Sequence, residues 1–216
     1  MKFNHDNISP LDSRYANKIS EFRENFSESA LIQIRFDIEI EWLLYICINL
    51  PKTFKPLSKQ SIKKITKIKD SFDNKSVLKI KKIESTTNHD VKAVEYYIRD
   101  QFLKDKVLST YTHLIHFGLT SEDINSLSYA HMIKNGISIY IKELDKVNKI
   151  LKNYSRKWAK QPFLARTHGQ AASPSTLGKE FKVFHERINR EIQHLKSIKP
   201  LAKFSGATGN YHTFDI

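Results

Sequence analysis

Three short strings of this chain carry side chains that could bind a polar molecule or move a proton. The string RTHGQAASPSTLGKE (166–180) places His168 between Thr167 and Gly169, just ahead of an amphipathic run. A histidine so placed can donate a proton to a bound substrate, because its ordinary pKa lies near neutrality. The string TTNHDVKAVEYY (86–97) sets Asn88, His89 and Asp90 side by side. Consecutive side chains fan out, so these three could grip a polar molecule from several sides. Equally, Asn88 or Asp90 could simply cap the helix that carries Val94 and Tyr97. In HFGLTSEDINSLS (116–128), Thr120 or Ser121 caps a helix opening at Glu122, with Asp123 completing a variant of the capping box. The free N–H groups of that first turn, together with two hydroxyls, could also bind a carboxylate or phosphate. Taken singly, each string reads first as local structure and second as a site.

Helices must position these strings. Apolar residues recur at helical spacing along most of the chain, and no strong alternating run or Asn-Gly or Asp-Gly hairpin turn is present. A first strong helix is expected after Ser27 as N-cap, with Leu31, Ile34, Ile38 and Trp42 on one face and Pro51 at its end. Tyr140, Leu144, Val147, Leu151, Tyr154 and Trp158 follow the alternating four-and-three spacing of long helices packed side by side. Pro162 closes that segment. Ser173-Pro174 then reads as the cap and first turn of a second long helix, whose stripe is Leu177, Phe181, Phe184, Ile188, Ile192, Leu195 and Ile198. The expected fold is therefore all-α: a small N-terminal helical domain, residues 1–110, followed by the start of a long-helix bundle, residues 111–216.

The bulk numbers exclude several classes. With 216 residues, 40% hydrophobic and 11% aromatic, the chain can bury a core as one large or two small domains. Its longest apolar run, WLLYICI (42–48), is too short to span a bilayer, and MKFNHDNISPLD has no secretory pattern. The single cysteine, Cys47, lies in an apolar helical run and reads as a small buried hydrophobe in a reducing cytoplasm. The net charge of +13 comes mostly from lysines. In KQSIKKITKIKD (59–70) and LKIKKIE (78–84) they alternate with isoleucine at helical spacing, so they read as the wet faces of helices rather than a nucleic-acid site. Such a surface would still draw in small anions. The histidines show no zinc-ligand spacing, and no GxGxxG, P-loop or nucleophile-elbow string occurs, so neither metal nor cofactor is expected.

Together, SPLDSRYANK (9–18), TTNHDVKAVEYY, HFGLTSEDINSLS, ARTHGQAASPSTLGKE and GATGNY (206–211) resemble the fumarase/aspartase superfamily of lyases. Within it they resemble the adenylosuccinate lyase family of the bacterial type, since THGQ stands where other branches show THLQ. The resemblance covers the chain in register from near its start to near its end. It implies elimination of fumarate from two succinylated purine nucleotides, adenylosuccinate and succinylaminoimidazole carboxamide ribotide. It implies His168 as general acid, Arg14 and Tyr15 at the nucleotide phosphate, and Asn88, His89 and Asp90 as substrate-binding residues. Thr120 and Ser121 would bind the succinyl carboxylate. It further implies a cytoplasmic homotetramer whose active sites combine stretches from several subunits.

The sequence also departs from that pattern. The family's general base is a serine on a loop carrying Met-Pro, whereas here only Met1 and Met132 occur and neither precedes proline. Ser205 stands where many relatives carry Asn. The chain is expected to cover about half of the family pattern, to be inactive alone and to dissolve poorly. The alternatives are a non-catalytic remnant that binds nucleotide or a partner chain, and a basic helical nucleic-acid binder.

Overall fold

The computed structural model describes residues 9–211, which form two compact units. Among the described residues, one comprises 9–133 together with 200–211, the other 134–199. The boundary expected near residue 110 falls within the first.

The first unit is built on α1 (Ser20–Phe26), α2 (Glu28–Asn49), α3 (Lys59–Asp70), α4 (Asn74–Thr87) and α5 (Asp90–Phe102). Local chemistry sets their starts. The hydroxyls of Ser27 and Ser58 accept from the third backbone N–H of α2 and α3, and Asp73 forms a reciprocal capping box with Ser76 on α4. A 3-10 segment, Leu108–Leu114, leads to α6 (Ser121–Lys157), which starts in the first unit and ends in the second. The helix expected after Thr120 and the seam expected over 137–160 are thus one helix of 37 residues.

The core of the first unit gathers Phe36, Ile40, Leu43, Ile65, Ile80, Val94, Ile98 and Phe102 around α2. Phe36 lies tilted against Phe72 and meets Tyr97 edge-on, with centroids 4.6 and 5.9 Å apart. Burying one such ring contributes about 2–3 kcal/mol. The core face of α2 is not the expected one. Ile32, Phe36, Ile40, Leu43 and Cys47 are buried, whereas Leu31, Ile34, Ile38 and Trp42 are half-buried. The helix is apolar nearly all round, so spacing alone does not choose the inner face. The lysines of α3 and α4 lie outward or half-out, as expected, over buried Ile65 and Ile80. Cys47 is buried, and burial pushes its thiol up to about 11.

The second unit holds the end of α6, an antiparallel hairpin of β1 (Pro162–Thr167) and β2 (Gln170–Thr176), and α7 (Leu177–Ser197). The hairpin is absent from the sequence reading. Its turn is His168-Gly169, with φ of 50° and 76°, the pair of positive angles that a two-residue hairpin turn requires. Histidine and glycine reach those angles without being the Asn-Gly signal that sequence reading looks for. Ser173 and Pro174 consequently lie in β2, and α7 is capped by Thr176, whose hydroxyl accepts from Lys179 N. Of the two seams, Ile192 is fully buried, while Tyr140, Val147, Tyr154 and Phe184 remain exposed. Tyr154, Trp158 and Phe181 form an aromatic cluster with centroids 4.7–5.3 Å apart.

Gly178 lets the start of α7 touch the end of α6. A methyl group there would sit 2.5 Å from Ser155 O and 2.6 Å from Ala159 N, both backbone atoms that cannot turn aside. Gly178→Ala is therefore expected to cost about 2 kcal/mol or more. Gly169→Ala, in open space but at positive φ, should cost only ~1 kcal/mol. Urea denaturation followed by Trp158 fluorescence measures both, and equal losses would show that the Gly178 contact is not limiting.

Candidate functional site

Asn88, His89 and Asp90 form the tight corner between α4 and α5. Asn88 ends α4 in the left-handed conformation, φ 51°. His89, rather than Asn88 or Asp90, caps α5: its Nδ1 accepts from Lys92 N at 3.2 Å. The ring can play this role because an unprotonated Nδ1 is an acceptor. Asp90 opens α5 and lies 2.7 Å from Arg35 Nη2 on α2. Burial raises the Asp90 carboxyl, but the Val91 N–H and the Arg35 guanidinium outweigh it and hold it below the usual range. Asn88 and His89 are exposed.

Thr120 and Ser121 stand half-buried at the start of α6, as expected of a cap. Thr120 N donates to Asp123 Oδ2 at 2.9 Å, one half of the anticipated capping box. Asp123 does far more than cap. Its side chain is 1% exposed, and it also accepts from Lys203 Nζ at 2.6 Å, Ser205 N at 3.0 Å and Gly206 N at 3.2 Å. Lys203 in turn donates to Gly206 O, and its backbone N–H donates to Ser126 Oγ. Two strings far apart in sequence, TSED and the residues leading into GATGNY, therefore meet at one carboxylate. Burial raises Asp123, and the Lys203 ammonium and backbone donors more than reverse this, so its carboxyl lies below the usual range. Lys203 also cancels the charge of Asp123, so the helix start keeps its attraction for an anion.

The corner before α6 is tied to α2 twice. Phe117 O accepts from Trp42 Nε1 at 2.8 Å, and His116 Nδ1 lies 2.6 Å from Glu39 Oε1. Arg14 and Tyr15 lie exposed between the first two 3-10 turns, with the Arg14 guanidinium 5.5 Å from the Tyr15 ring centroid. Arg14, Tyr15, Asn88, His89, Asp90, Thr120 and Ser121 all belong to the first unit. His168 belongs to the second, exposed at the hairpin tip.

Sequence reasoning missed Arg35, Glu39, Glu95, His116 and Lys203. The first two had a partial signal: Arg35 and Glu39 lie one helical turn apart on a largely apolar helix, and a charge on such a helix asks for a partner where it is buried. Among the described residues no cluster of acids, histidines and cysteine could hold a metal, and no helix is long and apolar enough to cross a membrane.

A family model described as lyase matches residues 13–216. The chain belongs to this lyase family. Adenylosuccinate lyase of Buchnera aphidicola subsp. Schizaphis graminum is 41% identical over 95% of this chain and 45% of its own length. Adenylosuccinate lyase of Dictyostelium discoideum is 40% identical over 97% of this chain and 46% of its own. The chain thus spans about half the length of the curated relatives it matches. Among solved structures, a fumarate lyase from Mesorhizobium sp. BNC1 superposes with a TM-score of 0.73 at 20% identity, over 91% of this chain and 44% of that one. The β-carboxy-cis,cis-muconate cycloisomerase of Acinetobacter calcoaceticus sp. ADP1 gives 0.71 at 18% identity, over 94% and 47%. These likenesses establish the fumarase/aspartase-like, all-α fold, to which the hairpin is a small addition.

Replacing Asp123 by Asn leaves Lys203 without its buried partner and is expected to cost about 3 kcal/mol at neutral pH by urea denaturation. The contribution is whole above the unfolded carboxylate value of ~3.9 and fades as pH falls through the lower folded value. The gap between the two proteins should therefore close in acid. A gap that widens there would reject the assignment.

Proposed function

We propose that this chain is part of an adenylosuccinate lyase, with residues 1–110 as its N-terminal domain and 111–216 as the opening of its long-helix bundle. The observation that carries the reading is 41% identity over 95% of the chain to a relative bearing that name. The reaction removes a proton from the carbon beside a succinyl carboxylate and breaks the bond from the neighbouring carbon to nitrogen. The electron pair of that bond leaves with the nitrogen, which takes up a proton, and fumarate departs. Adenylosuccinate would give AMP, and succinylaminoimidazole carboxamide ribotide would react in the same way.

In this reading His168 protonates the departing nitrogen. The exposed hairpin tip supports that role, since a ring projecting from a turn can reach a ligand. Thr120, Ser121 and the first N–H groups of α6 hold a succinyl carboxylate, where the helix dipole favours negative charge. Asn88, His89 and Asp90 bind the substrate from the α4–α5 corner. Arg14 and Tyr15 hold the phosphate, for which a guanidinium is well shaped. The base would be a serine on a Met-Pro loop, a string these 216 residues do not contain, so the isolated chain should not turn over. The exposed apolar side chains of α6 and α7 support an assembly in which further helices cover them; the assembly proposed is a homotetramer, and the compartment proposed is the cytoplasm.

The test is His168→Ala in the protein isolated from its native cell, at whatever length it has there. Fumarate release should fall by ~10²–10⁴-fold while adenylosuccinate affinity changes little. Near-normal turnover would reject His168 as the acid. Turnover by pure 1–216 protein would reject the missing base.

A further inference from the structure

Three acids and three bases meet between α2, α5 and the corner before α6, and only Asp90 among them has a proposed contact with substrate. Arg35 pairs with Asp90, Lys92 Nζ lies 2.6 Å from Glu95 Oε2, and His116 Nδ1 lies 2.6 Å from Glu39 Oε1. His116 Nε2 lies 3.7 Å from Glu95 Oε1. Glu39 is 1% exposed and Glu95 8%. Glu39 Oε2 and Glu95 Oε1 are buried and accept no hydrogen bond from the protein.

The pairing is one to one. Arg35 and Lys92 are engaged by Asp90 and Glu95, so the cation nearest Glu39 is the imidazolium of His116. A neutral His116 would leave the Glu39 carboxylate buried without a counter-charge. Burial alone pushes the His116 ring down. The hydrogen bond that the ring donates to Glu39 and the charges of Glu39 and Glu95 reverse this against the opposing charge of Lys92, and the ring ends above its ordinary value. Glu39 is itself raised by burial, against the opposing pull of His116.

The placement of the pair gives it a use. His116 sits in left-handed backbone, φ 60°, four residues before Thr120. Arg35 and Glu39 lie one turn apart on α2, so the same helix face holds Asp90 of one corner and His116 of the other. We propose that His116 is a positioning residue, whose imidazolium clamped by Glu39 and Glu95 locks the 115–120 corner to α2 and so fixes the Thr120–Ser121 helix start relative to the Asn88–Asp90 corner. That these corners hold substrate rests on the lyase reading. The clamp itself does not.

The experiment is an NMR pH titration of the isotope-labelled chain from about pH 5.5 to about pH 9, spanning the ordinary histidine value of ~6.5. The His116 ring should titrate above that value, and the amides of residues 88–90 and 118–123 should shift with the same midpoint. In His116→Gln those amides should lose the transition and exchange with solvent at least about tenfold faster, a loss of ~1.4 kcal/mol in local stability. Glu95→Gln removes a charge with little change of shape, so it carries the test if His116→Gln fails to fold. It should lower the His116 midpoint and move the amide midpoints with it. A ring midpoint at or below the ordinary value, or amides that titrate independently of the ring, overturns the proposal. Fumarate, which does not titrate in this range, serves as the ligand probe. Its affinity should weaken at least about threefold as the ring loses its proton, and the weakening should vanish in His116→Gln. Absence of fumarate binding at every pH by the protein isolated from its native cell counts against the lyase reading, while the amide titration still decides the clamp.

Discussion

A carboxylate taken out of water must keep a cation or several donors beside it, and the first unit meets that constraint at two places. Glu39 is buried against His116, and Asp123 against Lys203 and three backbone N–H groups. Each pairing joins segments distant in the chain, so satisfying the charge also sets the path of the backbone. The Asp123 cluster draws residues 203–206 onto the first turn of α6. The Glu39 cluster fastens the corner preceding that turn to α2. The apolar core around Phe36 supplies most of the stabilisation, but hydrophobic contact is non-directional and does not by itself choose these two registers.

The same constraint shapes the electrostatics at the start of α6. Two acids, Glu122 and Asp123, lie in its first turn. Unopposed, they would repel an incoming carboxylate. Glu122 is exposed and screened by solvent, and Asp123 is neutralised by Lys203 beneath the surface. The half-buried Thr120 and Ser121 hydroxyls and the helix N–H groups then dominate what an anion meets. The basic surface adds a diffuse attraction of the same sign.

The second unit follows a different logic. Its order comes from backbone proximity and aromatic packing: Gly178 against Ser155 and Ala159, and Trp158 between Tyr154 and Phe181. The seam along α6 satisfies the spacing rule for packed helices yet leaves Tyr140 and Val147 exposed. The spacing therefore does not by itself build a finished core.

The sequence by itself determined the class of the fold, the cap at Ser27, the outward lysines of α3 and α4 and the family. Each rests on local periodicity, local hydrogen bonding or strings of adjacent residues. The tertiary structure decided which face of α2 is inner, because a helix with apolar residues spread around it is oriented by its neighbours. It also decided that His168 stands on a hairpin turn, that His89 takes the cap of α5, and that Thr176 rather than Ser173 starts α7. These depend on backbone angles that several residue types can adopt. Above all it paired Glu39 with His116 and Asp123 with Lys203. Those partners lie 77 and 80 residues apart, and no local pattern announces a contact that exists only after the chain has closed.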